Sequence, residues 1–211
     1  MTAISPELIA QTTSFHGHWC PGLAIGIRAA EWALKEMGKS PDEEIVAVVE
    51  TDMCSVDAIQ YLIGCTFGKG NLIHKDYGKN AFTFYRRRDG KALRLVMRPY
   101  GLRTADSSTT SGDASALLGK LHKKLLNEGL IEEEQKLWQE TRRAISKRIM
   151  ESSLEDLFEV KTPSDTLPGK ARILASLICD VCKEAVMETR TRRFCDQVLC
   201  IPCFESQEKR F

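Results

Sequence analysis

The eight cysteines of this 211-residue chain fall into two groups that lie far apart in the sequence. The first third of the chain holds Cys20, Cys54 and Cys65. The other five lie near the C-terminal end: Cys179, Cys182, Cys195, Cys200 and Cys203. Disulfides are rare in the cytoplasm. A chain with eight cysteines in that compartment is therefore better explained by metal or thiol chemistry. The gap between the groups predicts two separate sites.

The C-terminal group has the spacing of a structural zinc site. Two Cys-x-x-Cys pairs, Cys179/Cys182 and Cys200/Cys203, can each direct two thiolates at one centre, and four sulfurs complete a tetrahedral Zn²⁺ site. An iron–sulfur cluster is the main alternative. Cys195 is expected at the tip of the hairpin between the pairs rather than on the metal. A module this short has little core, so the metal is expected to supply its folding energy.

The rest of the sequence predicts an α+β core domain with this small zinc-ribbon-like module attached. We place the core at residues 1–161, a linker rich in Pro, Ser and Thr at 162–176, and the Cys₄ module at 177–211. Hydrophobic residues make up 43% of the chain, which suffices for a packed core. The net charge of +1 indicates neither nucleic acid nor a membrane surface as a partner. Without a signal peptide or a long apolar run, we expect a cytoplasmic protein.

Local patterns predict several elements of the core. Ser5 and Pro6 begin a first helix that should end near Thr12, and a second helix opens at Pro21. A β-branched run predicts a strand over residues 45–50, followed by a helix over 55–63. A two-residue turn at Asp89-Gly90 should join two later strands, with the arginines before it on a solvated edge.

The segment FHGHWCPG places His16, His18 and Cys20 within five residues. If the segment is extended, alternate spacing points all three side chains the same way, and these soft or borderline ligands make a core transition-metal site. Cys20 and Cys54 each precede a helix, where the positive end of the helix dipole lowers a thiol's pKa. Either cysteine is therefore a candidate metal ligand or catalytic nucleophile.

The loop GCTFGKGN, residues 64–71, has glycines and a lysine but lacks the spacing and the Ser or Thr of a Walker A loop. We therefore exclude nucleotide hydrolysis. Backbone amides and Lys69 can still hold an anion or a polar ligand. Cys65 is as much a candidate for simple core packing as for a role.

Three strings together resemble the FmdE subunit of formylmethanofuran dehydrogenase: FHGHWCPGLAIGIRAA, DMCSVDAIQYLIGCTFGKGNL and DYGKNAFTF, with the terminal cysteine pairs behind them. The resemblance implies an α+β core that forms homodimers and a zinc-ribbon-type tail. It also implies an accessory role beside a molybdenum or tungsten pterin oxidoreductase, since FmdE is not the catalytic component of that enzyme. Family proteins also occur in organisms without methanogenesis.

The resemblance maps a polar cluster onto this chain as well. Its members are His16, His18, Cys20, Cys54 and Cys65. Asp57, Gln60 and Lys69 fall within the same motifs and are candidate ligand-binding residues.

Three functions remain open from the sequence. The first is an accessory protein that handles a transition metal or a metal–pterin, with tail zinc and a candidate second metal (Zn, Ni or Fe) in the core. The second is a cysteine-dependent enzyme that uses Cys54 or Cys20 with a histidine base. The third is a structural or interaction protein with zinc in the tail alone.

Overall fold

The computed structural model describes residues 2–39, 42–98 and 111–209 of the chain. They form two compact units, Met1–Lys170 and Ala171–Phe211. The first unit is a mixed helix-and-sheet domain and the second is a small cysteine-rich module, so the predicted α+β fold class is confirmed. No helix in the described ranges is both long and apolar enough to cross a bilayer.

The helices of the first unit are α1 (Pro6–His16), α2 (Pro21–Met37), α3 (Ser55–Ile63), α4 (Ser111–Asn127), α5 (Glu132–Glu151) and α6 (Leu154–Leu157). Its strands are β1 (Ile45–Val49), β2 (Leu72–His74), β3 (Ala81–Arg86), β4 (Ala92–Met97) and β5 (Phe158–Lys161). They form one sheet in the order β2-β1-β3-β4-β5, in which β1 and β2 run parallel and the other neighbours antiparallel.

Helix α2 is the centre of the core. Twelve of its residues are buried, and they pack with the sheet residues Phe82, Phe84 and Leu95 and with Ile149 of α5. Burying a large apolar side chain contributes about 1.5–3 kcal/mol, so this contact accounts for much of the stability of the unit. Arg28 is also buried, and its guanidinium donates to Glu31 at 2.5 Å, which neutralises the charge.

Helix α1 is longer than the sequence predicted. Ser5 caps its start, with its Oγ accepting from the Leu8 N–H at 3.3 Å. The helix passes Thr12 and ends where Gly17, at φ 92°, adopts the left-handed conformation that glycine tolerates best. His16 is therefore the last helical residue, and the extended 16–20 segment on which the alternation argument relied does not exist.

The hairpin between β3 and β4 also differs from the prediction. Arg86 N–H donates to the Lys91 carbonyl, so four residues, 87–90, form the loop instead of the two-residue Asp89-Gly90 turn. The cause is the side chain of Asp89, which accepts from the Arg86 guanidinium at 2.6 and 3.0 Å across the loop. The prediction of a solvated arginine edge is wrong for Arg86 and Arg87, because both donate to backbone carbonyls elsewhere in the unit.

Residues 162–170, predicted as part of the linker, are tied to the first unit. Tyr85 Oη donates to the Asp165 carbonyl at 3.0 Å, and the Asp165 carboxylate pairs with Lys75. Arg87 donates to the carbonyls of Pro168 and Gly169. This segment therefore covers the face of the sheet that carries Tyr85.

The second unit is built from two hairpins and a helix. Strands β6 (Ser176–Ile178) and β7 (Ala185–Met187) pair, a 3₁₀ turn follows, and β8 (Thr191–Phe194) pairs with β9 (Gln197–Cys200) before helix α7 (Ile201–Glu208). Cys195 and Asp196 make the two-residue turn of the second hairpin, both at positive φ. That is the backbone of a type I′ turn, and it places Cys195 at the hairpin tip.

Candidate metal centres

Four side chains that can bind metal converge in the first unit. They are His16, His18, Cys20 and Cys54, and their ligand atoms all lie within 4.8 Å of one another. His16 ends α1, Cys20 is the N-cap of α2, and Cys54 is the N-cap of α3. The cluster therefore forms where three helix ends meet.

The His16 ring is held in a fixed orientation. Its Nδ1 donates to Asp57 Oδ2 at 2.6 Å, and Asp57 Oδ1 accepts from the side-chain amide of Gln60 at 3.2 Å. With its proton on Nδ1, the ring has its lone pair on Nε2, which lies 3.9 Å from Cys20 Sγ. A histidine bound to metal commonly has a carboxylate behind it in this way, and such a partner orients the ring and raises its basicity.

The two cysteines differ in their surroundings. Cys20 is buried, and its Sγ accepts from the Leu23 N–H at 3.3 Å. Cys54 is half-buried, and its side chain makes no capping hydrogen bond. Burial and the neighbouring Cys20 thiol raise the pKa of the Cys54 thiol, so the lowered pKa predicted from its helix-start position is wrong.

Two glycines of α2 let the two cysteine-bearing helix ends approach. A Cβ on Gly26 would lie 2.1 Å from the Ser55 carbonyl oxygen, and one on Gly22 would lie 3.0 Å from the Cβ of Cys54. Helices α2 and α3 therefore meet almost backbone to backbone. Sequence reasoning missed this role, although two glycines four residues apart lie on one helix face and signal close packing.

His18 is the exposed member of the cluster. Its ring centroid lies 4.4 Å from that of His16, and the two rings are tilted by 42°. Partial burial, the His16 ring and the Arg142 guanidinium lower the pKa of His18, which favours the neutral imidazole that binds metal. An ion or ligand can reach the cluster from the His18 side.

The donor set fits a transition metal. Two imidazole nitrogens and two thiols are soft or borderline ligands that suit Zn, Ni, Fe or Cu better than Mg or Ca. In a tetrahedral site with metal–ligand bonds of about 2.0–2.3 Å, the ligand atoms stand about 3.3–3.8 Å apart. Since the four atoms already lie within 4.8 Å, small rotamer adjustments suffice to close them around an ion.

Cys65 is not brought into this cluster. It is fully buried in the core, and its thiol donates to the Ile45 carbonyl at 3.3 Å. Burial raises the pKa of the Cys65 thiol to about 12. Beside it, buried Asn71 donates to the same carbonyl at 2.9 Å and accepts from the Thr66 N–H. The glycine-rich loop is thus anchored to β1, a role of Asn71 that the motif search missed.

The other predicted ligand-binding residues differ in how directly they contact the cluster. Asp57 contacts His16 directly, and Gln60 contacts Asp57. Lys69 lies in the loop after α3, where its Nζ would be 3.8 Å from a Cβ on Gly64. Lys69 is therefore near Cys65, and the contacts of the described residues do not join it to the cluster.

The cysteine pairs of the second unit form the other centre. The Sγ atoms of Cys179, Cys182, Cys200 and Cys203 lie within 4.8 Å of one another. Cys179 Sγ accepts from the Cys200 N–H at 3.3 Å, and this and other amide hydrogen bonds lower its pKa to about 6. Such a thiol readily becomes the thiolate that binds metal. Cys195 is outside this group.

The two clusters define a class: an α+β protein with four candidate metal ligands in its first unit and a four-cysteine zinc-finger module as its second unit. Comparison with known proteins agrees. The family described as FmdE, molybdenum formylmethanofuran dehydrogenase operon, matches residues 15–159, and the prokaryotic dksA/traR C4-type zinc finger matches residues 172–209. The chain belongs to the FmdE family, and the match of its tail to a C4-type zinc finger, together with the four clustered cysteines, supports zinc binding there.

Two known proteins are similar over most of this chain. One, from Archaeoglobus fulgidus, is described as a probable S-adenosyl-L-methionine-binding protein. It is 32% identical over an alignment of 206 positions, which covers 93% of this chain and 52% of the relative, so the chain spans about half of that protein's length. The other is the crystal structure of a tungsten formylmethanofuran dehydrogenase FmdE-like protein from Syntrophus aciditrophicus. It has 23% identity and a TM-score of 0.59, and the match covers 96% of this chain and 93% of that one.

Proposed function

We propose that this protein is an accessory metal-handling protein. In this proposal the core cluster takes up a transition metal ion as cargo, and the zinc finger contacts the protein that receives it. The observation that supports it most is the kind of ligand that each cluster exposes: the core exposes the imidazole of His18, whereas the tail exposes the thiol of Cys182. Four protein ligands of either kind can close a zinc site, but a neutral imidazole is released more readily than an anionic thiolate, so the core site suits exchange better than the tail site.

Each residue of the core cluster has a distinct part in this proposal. His16 and Cys20 are fixed, one by Asp57 and the other by the Leu23 amide, so they hold the ion in one place. Cys54 supplies the second sulfur from α3. Exposed His18 is the ligand that leaves first, because its release opens a coordination position to the incoming acceptor without moving a helix.

The acceptor that we propose is a molybdenum or tungsten oxidoreductase, and the cargo extends to the metal of its pterin cofactor. Membership of a family named for the formylmethanofuran dehydrogenase operon supports this partner. We further propose that the protein works in the cytoplasm as a homodimer. Size-exclusion chromatography with light scattering tests the dimer directly.

Metal analysis of purified protein tests the core site. Wild type is expected to hold two metal ions per chain, one for each cluster. Cys20→Ala should hold one, and the matched control Cys65→Ala should still hold two, because Cys65 lies outside the cluster. If wild type and Cys20→Ala bind the same metals in the same amounts, a core site that depends on Cys20 is wrong.

A second candidate function comes from the archaeal relative, which is described as a probable S-adenosyl-L-methionine-binding protein. The amino and carboxylate groups of such a ligand suit the metal position that opens when His18 leaves, and the charge of the Arg142 guanidinium, which acts on His18, would attract the carboxylate. Calorimetric titration of the metal-loaded protein with S-adenosylmethionine tests this. If no heat of binding appears, the proposal that this chain binds S-adenosylmethionine is wrong.

The cysteine-dependent enzyme has less physical support. Its nucleophile needs a thiolate near neutral pH, whereas burial and Cys20 raise the pKa of Cys54. Alkylation rates measured across pH test this alternative. A Cys54 that reacts rapidly at pH 7 would revive it, and reaction only at alkaline pH would count against it.

A further inference from the structure

Cys20 and Cys54 form a pair of thiols that the fold holds together even when no metal joins them. Their sulfur atoms belong to a cluster within 4.8 Å, and a Cβ on Gly22 would lie 3.6 Å from one sulfur and 3.8 Å from the other. The sulfurs of such a pair must come to about 2.05 Å for a disulfide to form, so the two side chains have to move toward each other. Gly26 maintains the approach, because a Cβ there would lie 2.1 Å from the Ser55 carbonyl oxygen, and Gly22 keeps the contact with Cys54 close.

The two thiols also differ in access in the way a redox pair requires. Cys54 is half-buried and can meet a small oxidant, whereas Cys20 is only 2% exposed and lies behind it. The third core cysteine, Cys65, is fully buried, and its thiol is engaged by the Ile45 carbonyl. Access therefore makes Cys54 the thiol that meets the oxidant first, although its raised pKa slows the reaction at neutral pH, and Cys20 is the neighbour that can resolve the product.

We propose that the core metal site is redox-gated: oxidation by a peroxide joins Cys20 and Cys54 in a disulfide and thereby releases the metal. This inference rests on the proposed function for the identity of the ligands, although the disulfide itself requires only the geometry. It adds a regulatory property to a site otherwise considered only for binding.

The chemistry balances in two steps. The Cys54 sulfur attacks one oxygen of hydrogen peroxide, the O–O bond breaks, and Cys54 becomes a sulfenic acid as one water leaves. The Cys20 sulfur then attacks the Cys54 sulfur, the S–O bond breaks, and a second water leaves as the disulfide forms. Two thiols are oxidised by two electrons, and one peroxide is reduced to two waters. Two of the four ligands are lost, and His16 and His18 remain.

Bound metal should oppose this reaction. A sulfur whose lone pair is shared with a metal ion is a poorer nucleophile, so ligated Cys20 and Cys54 would react more slowly with peroxide and with each other. The metal-loaded site is thus expected to be oxidised, and to release its metal, more slowly than the empty site forms the disulfide. The state of the site would then depend on both metal supply and oxidant.

Peptide mapping by mass spectrometry tests the proposal on the full chain. Protein stripped of metal by a chelator and protein reloaded with Zn²⁺ are treated with hydrogen peroxide, alkylated and digested. The expected product from stripped protein is a peptide linked through Cys20 and Cys54, formed at least ten times more slowly in the zinc-loaded sample. Cys54→Ser should abolish it and Cys65→Ser should not, and core zinc, followed with a chromophoric chelator, should be lost only when the link forms.

Each outcome separates this inference from the proposed function. Normal core metal binding without a Cys20–Cys54 link overturns the redox gate and leaves metal handling intact. A link that forms equally fast with and without zinc overturns the gate and also argues against these cysteines as ligands. A disulfide between Cys65 and either Cys20 or Cys54 overturns the redox gate as well, because it requires the core to unfold.

Discussion

The close approach of α2 to α3 predicts that Gly26→Ala will destabilise the protein, although alanine is the better helix former. The added Cβ would lie 2.1 Å from the Ser55 carbonyl oxygen, which is 1.3 Å short of the 3.4 Å at which ordinary contact begins. The obstacle is backbone, so no side chain can rotate away. The helix ends that carry Cys20 and Cys54 must therefore separate.

The magnitude follows from two opposing effects. Replacing glycine by alanine in a helix interior gains up to about 1 kcal/mol. Overpacking of a rigid core typically costs about 1–3 kcal/mol and exceeds that where backbone blocks relaxation. We expect a net loss of about 2 kcal/mol in the free energy of unfolding. In a chain of this length, that lowers the melting temperature by roughly 4–8 °C.

Thermal unfolding followed by circular dichroism measures the effect, and Gly119→Ala is the matched control. Gly119 also lies inside a helix, α4, but a Cβ there would meet nothing within 4 Å. The control should be unchanged or more stable by up to about 1 kcal/mol. Core metal binding should weaken in Gly26→Ala alone. If Gly26→Ala melts at or above the wild-type temperature, the backbone contact is wrong.

Three further predictions concern single side chains and the metals. Asp57→Ala should weaken core metal binding by about 10–100-fold, because the His16 ring loses the carboxylate that orients it, and competition with a chelator measures the change; an unchanged affinity would show that His16 needs no such support. Cys65 should resist alkylation in the folded protein at pH 8, since burial raises its pKa to about 12, and become reactive only in denaturant; modification of the native protein at the rate of an exposed thiol would contradict this. Cys200→Ser should remove one metal ion per chain and leave residues 171–209 open to protease, because so small a unit depends on zinc for its fold. Proteolysis of the variant no faster than that of wild type would disprove that dependence.

Much of the local structure could be predicted because its determinants lie close together in sequence. Helix α3 occupies the expected residues 55–63, since Cys54 precedes it and Gly64 ends it in the left-handed conformation. Cys20 caps α2 as expected. The clustering of the four tail cysteines could be predicted from spacing alone, because two Cys-x-x-Cys pairs separated by a hairpin have few other arrangements.

The predictions from sequence that failed share a physical cause, which is interaction between residues that are distant in the sequence. His16 and Asp57 are separated by 41 positions, and no local pattern indicates that one orients the other. The end of α1 depends on Gly17 rather than on residue propensities near Thr12. The raised pKa of Cys54 reflects burial beside Cys20, which outweighs the helix-start effect that sequence reasoning used. Burial and pairing are properties of the fold.

X-ray absorption at the zinc edge of the fully loaded protein tests the central claim most directly. Sulfur at about 2.3 Å and nitrogen at about 2.0 Å give separable signals. A sulfur-only tail plus a core with two sulfurs and two nitrogens predicts an average of three sulfurs and one nitrogen per zinc, at two zinc ions per chain. One zinc per chain with a shell of sulfur alone would contradict the account and leave only the zinc finger as a metal site.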